Sequence, residues 1–540
     1  MKIIICCNAY PPNFIGGAEL IAHFQALELT KKGHEVFVFC GETSGKKKRY
    51  VLEKEVYEGL NVNRIHLSPM DYQPEYVNFS HKKVEEHFIN LLNNFKPDIV
   101  HFHNIIGLSA GIIYLTNKRK IKTFLTLHDK WGFCYKNTGI NEEKICENYN
   151  SCNKCMPFIN EGRESRIPIQ MRKDYLSLIF LYVDHFISPS RYLAQQYIKA
   201  EFPENKMNVL WNGINIKKFE CVPTTKINSG KTRFTYVGYL GRHKGLHLLL
   251  DALAQLPNQK NVIINLVGEG DEEQNLKHHI KKSGSEKHFK FWGKIDNNQI
   301  EKVYRETDIL VLPSIWPENQ PVSITEAMAC KIPVIATRLG GSVELVDDNK
   351  SGFLFEFNNS LDLSHKMGEF ISNPSKIKQF GEAGYQKIIH NTFEKQVDKL
   401  FELYNKDSVP GKTPEENKQL IVCIGEKVDH ECAVAMDRFL KTHKDYYFIM
   451  EKWLEDDLLK YTKIFWVVDK NITIEKLNDI FRFNRPVLVP EQSPSLKSLC
   501  INKNCGLYYD DPIVAEICLE YLIKNEQAAD AMGGNIAYIT

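Results

Sequence analysis

The chain has 540 residues, of which 43% are hydrophobic and 25% charged, with a formal net charge of +2 at pH 7. That length suits about three to four domains of ~150 residues, and the near-neutral balance excludes a general drive toward nucleic acid. No apolar run reaches the roughly 18 residues a membrane-spanning helix needs, and Met1-Lys2 leads straight into a strand-like run, so neither a span nor a leader is expected. Fourteen cysteines scattered over this length read as reduced thiols of a cytoplasmic protein. The basic run Lys46-Lys47-Lys48-Arg49 reads as a solvated loop, the other reading being a patch facing anionic lipid at the inner membrane face.

Residues 2–7 (KIIICC) form an apolar run without alternation, the mark of a strand buried on both faces. A loop with Gly16-Gly17 follows, then a helix carrying Leu20, Ile21, Phe24 and Leu27, then a second strand from Val36 to Cys40. This is one βαβ unit, and the two glycines let the backbone approach a ligand at the helix start. Further strands are DIVHFH (98–103), KTFLTLH (122–128) and HFISPS (185–190). The first two end in His103-Asn104 and His128-Asp129, polar residues at the carboxyl edge of a parallel sheet, where open α/β folds bind ligands.

VLWNGIN (209–215) follows, and the stretch from Cys221 to Lys231 reads as a linker. A second α/β domain opens with RFTYVGYLGRHKG (233–245) and continues through NVIINLVGEGDE (261–272) and FKFWGKI (289–295). Its centre is DILVLPSIWPENQPVSITEAMACKIPVIATRLGG (308–341): a buried strand, a loop with Glu318, a helix with Glu326, a second strand and a Gly-Gly turn. Pro321 suits the first turn of a helix and no later position, so the helix should begin there.

These segments, in this order, resemble the family 4 (group 1) retaining glycosyltransferases, whose signature has two glutamates eight residues apart, as at Glu318 and Glu326. The resemblance covers roughly residues 1–406. It implies a GT-B architecture: an α/β fold of two Rossmann-like, doubly wound domains facing across a cleft. Residues 1–220 would form the acceptor-side domain and residues 221–406 the donor domain. It implies transfer of a sugar from a UDP- or GDP-sugar to a saccharide, lipid-linked or protein acceptor in polysaccharide, glycolipid or glycoprotein glycan assembly, without catalytic metal and with peripheral membrane association in view. By the resemblance His128, Lys244 and Glu318 carry catalysis. Gly16, Gly17, Arg242, Gly268, Lys294 and Glu326 bind the donor, and His103, Asn104 and Asp129 line the acceptor side. One departure stands out. Val237-Gly238 and Lys244-Gly245 match the family pattern, but Tyr239 stands where an arginine is usual, with Arg242 the only nearby substitute. A non-catalytic sugar- or partner-binding protein on the same scaffold is therefore the alternative reading.

Two features lie outside that pattern. Cys134, Cys146, Cys152 and Cys155 follow His128-Asp129 with the spacing C-x11-C-x5-C-x2-C, which suits a closed structural zinc site; four unrelated thiols is the other reading. Residues 407–540, after the linker KDSVPGKTPEENK, echo the donor domain at offsets of 155, 153 and 154 residues. The copy has Asn471 and Asp479 where Glu318 and Glu326 would fall, and no Lys-Gly motif. It reads as a degenerate half-domain that kept a fold and lost a donor site, with chance similarity of two Rossmann-type segments as the alternative.

Overall fold

The computed structural model describes residues 1–13, 16–42, 47–141, 144–146, 149, 152–161, 165–220, 230–408, 418–426, 428, 430–469 and 471–536. Lys46 and most of both linker stretches, 221–229 and 409–417, lie outside these. No described helix is long and apolar enough to cross a membrane.

Three sheets organise the chain. The first has eight strands: β1 (Lys2–Cys7), β2 (Glu35–Glu42), β3 (Leu52–Tyr57), β4 (Leu60–His66), β5 (Ile99–Phe102), β6 (Lys122–Thr126), β7 (His185–Ser188) and β8 (Met207–Val209). Their order is 8-7-6-5-1-2-4-3, and every pairing is parallel except β3 with β4. β1 is buried from Ile3 to Cys7, because helices cover both faces of the sheet, which explains a run without alternation. Helix α1 (Gly17–Lys31) follows it as expected.

The second sheet comprises β9 (Thr232–Val237), β10 (Val262–Val267), β11 (Phe289–Gly293), β12 (Ile309–Leu312), β13 (Val334–Thr337) and β14 (Gly352–Phe355), all parallel, in the order 11-10-9-12-13-14. The strand order reverses beside β9 and β12, the topological switch point where a ligand crevice opens. The donor half does not keep its last helix. The helix at Phe393–Tyr404 returns to the first domain, where Val397, Leu400 and Tyr404 are buried with Ile3, Ile5, Ala22 and Ala26. The expected boundary at residue 406 therefore lies too late for this sheet's own packing. The crossing is held by Ile214 N donating to Asn391 O at 2.9 Å and Asn391 Nδ2 donating to Asn212 O at 2.7 Å.

The third sheet has β15 (Gln419–Ile424), β16 (Tyr446–Met450), β17 (Thr462–Val467), β18 (Val487–Pro490) and β19 (Gly506–Tyr509), in the order 16-15-17-18-19. With β11 removed, the second sheet has this same order, and the echoed segments fall on β12/β17, β13/β18 and β14/β19. Asn471 sits in the turn after β17, its amide bound to Asp469 Oδ1 at 3.0 Å, and Asp479 lies on the next helix, Ile474–Phe481.

This third unit docks on the first domain and shares one apolar cluster with it, while the second sheet has a cluster of its own. Trp453 is 4% exposed and meets Phe79 edge-on at 5.2 Å. Around it Lys82 pairs with Glu455 at 2.8 Å and Lys118 with Asp457 at 3.0 Å. Strand β16 is an edge, and helix α2 (Ile169–Phe180) of the first domain runs beside it: the Asp174 carboxylate accepts the Phe448 amide at 2.9 Å.

Burial pushes the Asp174 carboxyl up to about 6, from about 3.9 in an unfolded chain. The folded state therefore holds this proton more tightly. The contribution to stability is present below pH ~4 and is lost as pH rises through ~6, about 2–3 kcal/mol in all. Lys173, Lys418 and Gln170 also face the carboxyl and limit the effect. Relative to wild type, the urea midpoint of Asp174→Asn should rise between pH 4 and pH 7. A difference that is flat with pH would overturn this account.

Candidate active site

The two sheets' carboxyl edges face each other across a cavity of about 600 Å³. On one side β6 ends and the chain places His128 in the wall; on the other β12 ends and a loop carries Glu318 into helix α3 (Val322–Ala329). Pro321 precedes the first helical residue with φ −67°, as its ring requires. Gly341 N donates to Glu318 O at 2.6 Å, and a Cβ on Gly341 would fall 1.8 Å from Asn319 O. The Gly-Gly turn therefore lets the acidic loop close tightly. Gly17, opening α1, reaches across the cavity toward α3: a Cβ there would fall 3.1 Å from Val322.

Lys244 and Glu318 form the charged centre. Lys244 Nζ donates to Glu318 Oε1 at 2.8 Å and sits 4.7 Å over the Trp316 ring; Ser314 Oγ donates to the same carboxylate oxygen at 2.6 Å. Burial pushes the Glu318 carboxyl up, but the adjacent Lys244 outweighs it and holds the group below the usual carboxylate range. Glu318 is therefore a carboxylate at neutral pH. Glu326, one turn into α3, accepts the Tyr304 hydroxyl at 2.7 Å, and burial raises its carboxyl.

Gly16, Gly17, His128, Lys244, Lys294, Glu318 and Glu326 all line this cavity, as does Tyr239. Five other expected site residues do not. Arg242 is exposed on the turn Arg242–Lys244, outside the lining. Gly268 has φ +129° and serves packing: a Cβ there would fall 1.9 Å from Gly238 O. His103 is 1% exposed and stands behind His128, its Nδ1 2.9 Å from His128 Nε2. Asp129 and Asn104 brace each other: Asp129 Oδ2 accepts Asn104 Nδ2 at 3.2 Å and Oδ1 accepts Trp131 N at 2.7 Å. They shape the turn that presents His128. The Gly16 amide donates to Glu19 Oε2 at 2.9 Å.

The sequence reading missed Asn319 and Gln320. Asn319 Nδ2 donates to His128 O at 2.7 Å, and Gln320 Oε1 accepts Asn212 N at 2.7 Å. Three consecutive residues thus hold the lysine, the histidine segment and the crossover. Amides in a loop carry no periodic signal, so only the partners across the cleft reveal them.

Cys134, Cys146, Cys152 and Cys155 pack half-buried against the first domain's core. Among the described residues no three His, Cys, Asp or Glu side chains are grouped to hold a metal ion. Burial raises the Cys134 thiol and pushes Cys152 up to about 11.

The chain matches the family profile of glycosyl transferases group 1 over residues 218–387 and that of Glycosyltransferase Family 4 over residues 15–218. It is 23% identical over 430 residues to an uncharacterized glycosyltransferase of Methanocaldococcus jannaschii, covering 76% of this chain and 97% of that one. Another uncharacterized glycosyltransferase of that organism is 31% identical over 217 residues, 39% of this chain and 58% of that protein's length. Among solved structures, sucrose-phosphate synthase from Thermosynechococcus elongatus superposes with a TM-score of 0.58 at 18% identity, covering 75% of this chain and 98% of that one. HepE of Anabaena in complex with UDP gives 0.53 at 18% identity, covering 75% and 99%.

Proposed function

The chain belongs to the group 1, family 4 glycosyltransferases, and from that premise we propose that it transfers a sugar, with retention, from a nucleoside-diphosphate sugar to a hydroxyl acceptor. The observation that carries this reading is the buried Lys244–Glu318 pair at the mouth of α3, opposite His128 and the amino end of α1. The leaving diphosphate would lie against Lys244, whose ammonium has donors for both Glu318 and a phosphate oxygen, and against the amino ends of the two helices. These groups stabilise charge that develops as the glycosidic bond breaks.

In this reading Glu318 holds sugar hydroxyls, Glu326 the ribose, Lys294 and its neighbours the base, and His128 the sugar from the first domain. This reading invokes no covalent nucleophile. The departing phosphate would take the acceptor's proton on the same face of the sugar, which preserves the anomeric configuration. Domain closure would exclude water while this happens.

Tyr239 favours a second reading. It stands 52% exposed at the position where an arginine is usual, and a scaffold with a weak phosphate grip would bind sugars without transferring them. Thermal shift with UDP, GDP, ADP and their glucose conjugates separates the two. A nucleotide at 100 times its dissociation constant adds about 2.7 kcal/mol of stability. One nucleotide should stand out, with its shift abolished in Lys244→Ala. A shift that survives in Lys244→Ala, or none with any nucleotide, would sink the transferase reading.

A further inference from the structure

Behind the cleft wall lies a stack of three histidines that the proposed chemistry does not use as a unit. His101 Nδ1 is 2.7 Å from the Tyr404 hydroxyl and its Nε2 is 2.7 Å from Thr126 Oγ1. Its ring lies 4.5 Å from that of His103, which in turn touches His128. Tyr404 belongs to the helix that returns from the second domain, so the stack is held from both halves of the chain.

We propose that His103 is a positioning residue that fixes the tautomer of His128, so that His128 presents a ring N–H at Nδ1 to the cleft. The inference rests on the transferase reading for its kinetic consequence and on geometry alone for the tautomer. In the short contact between His103 Nδ1 and His128 Nε2 one nitrogen donates and the other accepts. His103 Nε2 is buried with no hydrogen-bond partner. If His103 accepted at Nδ1, its proton would sit on Nε2 as a buried N–H with no acceptor, and orphaned buried donors are rarer than orphaned acceptors. His103 therefore donates from Nδ1 and leaves a bare lone pair on Nε2.

His128 Nε2 then accepts. Burial lowers the histidines His101 and His103 and takes His128 to about 4, so all three are neutral at pH 7 and His128 must carry its proton on Nδ1. That nitrogen has no partner among the described residues, and His128 lines the cavity. A sugar oxygen entering there meets a donor. A site built on a donor selects a hydroxyl that can accept and disfavours an ammonium in its place.

The ring-nitrogen resonances of the full chain, labelled with 15N-histidine and assigned with His128→Gln, report the tautomer without any substrate. The expected result is a protonated Nδ1 and a bare Nε2 on His128. His103→Asn, whose side-chain amide sits near the position of Nδ1, should keep that tautomer, whereas His103→Phe should shift it toward Nε2–H. With the donor that the thermal-shift panel selects, kcat should fall about 10–100-fold in His103→Phe with KM little changed, and recover in His103→Asn. A protonated Nε2 on wild-type His128, or His103→Phe with tautomer and kcat unchanged, overturns the proposal. The expected tautomer in a chain that turns over no nucleotide sugar would overturn the transferase reading and leave the assignment of His103 standing.

Discussion

Glu318→Gln should lower kcat by about 10²–10³-fold while the chain remains folded. The substitution keeps shape and an oxygen acceptor, so Ser314 Oγ and Lys244 Nζ retain a partner at the positions they now occupy, 2.6 and 2.8 Å away. What changes is charge. Lys244 loses the carboxylate that balances it in a largely buried site, and a bound diphosphate would then become its sole counter-ion. Nucleotide affinity should hold or rise, because the repulsion between Glu318 and phosphate disappears. Catalysis should fall, because a neutral amide cannot stabilise positive character on the sugar ring or hold its hydroxyls as firmly. Release of nucleoside diphosphate from the selected donor, with melting temperature as the control, gives both quantities. Turnover near that of wild type would remove Glu318 from the reaction, and loss of nucleotide binding would assign it to the ground state instead.

Trp453→Ala should detach the third unit from the first and leave the second intact. The indole is nearly buried, meets Phe79 at 5.2 Å and 81°, and lies 5.7 Å from Tyr175. Truncating such a side chain costs about 3–5 kcal/mol through lost burial and the cavity left behind. Edge-to-face aromatic contacts add about 0.5–1.5 kcal/mol each. The first and third units share one apolar cluster, whereas the second has its own, so the effect should divide along that line. The expected record is an earlier unfolding transition and faster proteolysis within residues 418–536, with the nucleotide-induced thermal shift retained. A chain of this size need not unfold in one step, so two separate transitions are an acceptable outcome. A melting profile and digestion pattern unchanged from wild type would show that the interface does not depend on Trp453.

Much of this architecture was legible in the order of residues. Buried parallel strands are short unalternating runs because helices cover both of their faces, and this placed β1, β12 and β13. Pro321 marked the start of α3 because its ring admits one helical position, and that put Glu318 on a loop and Glu326 one turn inside. The third sheet has the strand order of the second once β11 is set aside, as either a repeat or a chance likeness of two Rossmann-type folds would give. Each of these is a local property, a burial pattern or a backbone restriction that a segment carries with it. What only the tertiary structure decided was which segments meet. The helix at Phe393–Tyr404 has an apolar face that would suit either domain, and its burial in one cluster with Ile3 and Ala26 assigns it to the first. His103 and His128 both end parallel strands, yet one is the wall and the other stands behind it, because strand register and side-chain direction set depth. Arg242 and Lys244 lie two residues apart on one turn, and its direction sends one to solvent and the other to Glu318. Composition and spacing encode how much of a residue is buried; the packing of distant elements decides against what.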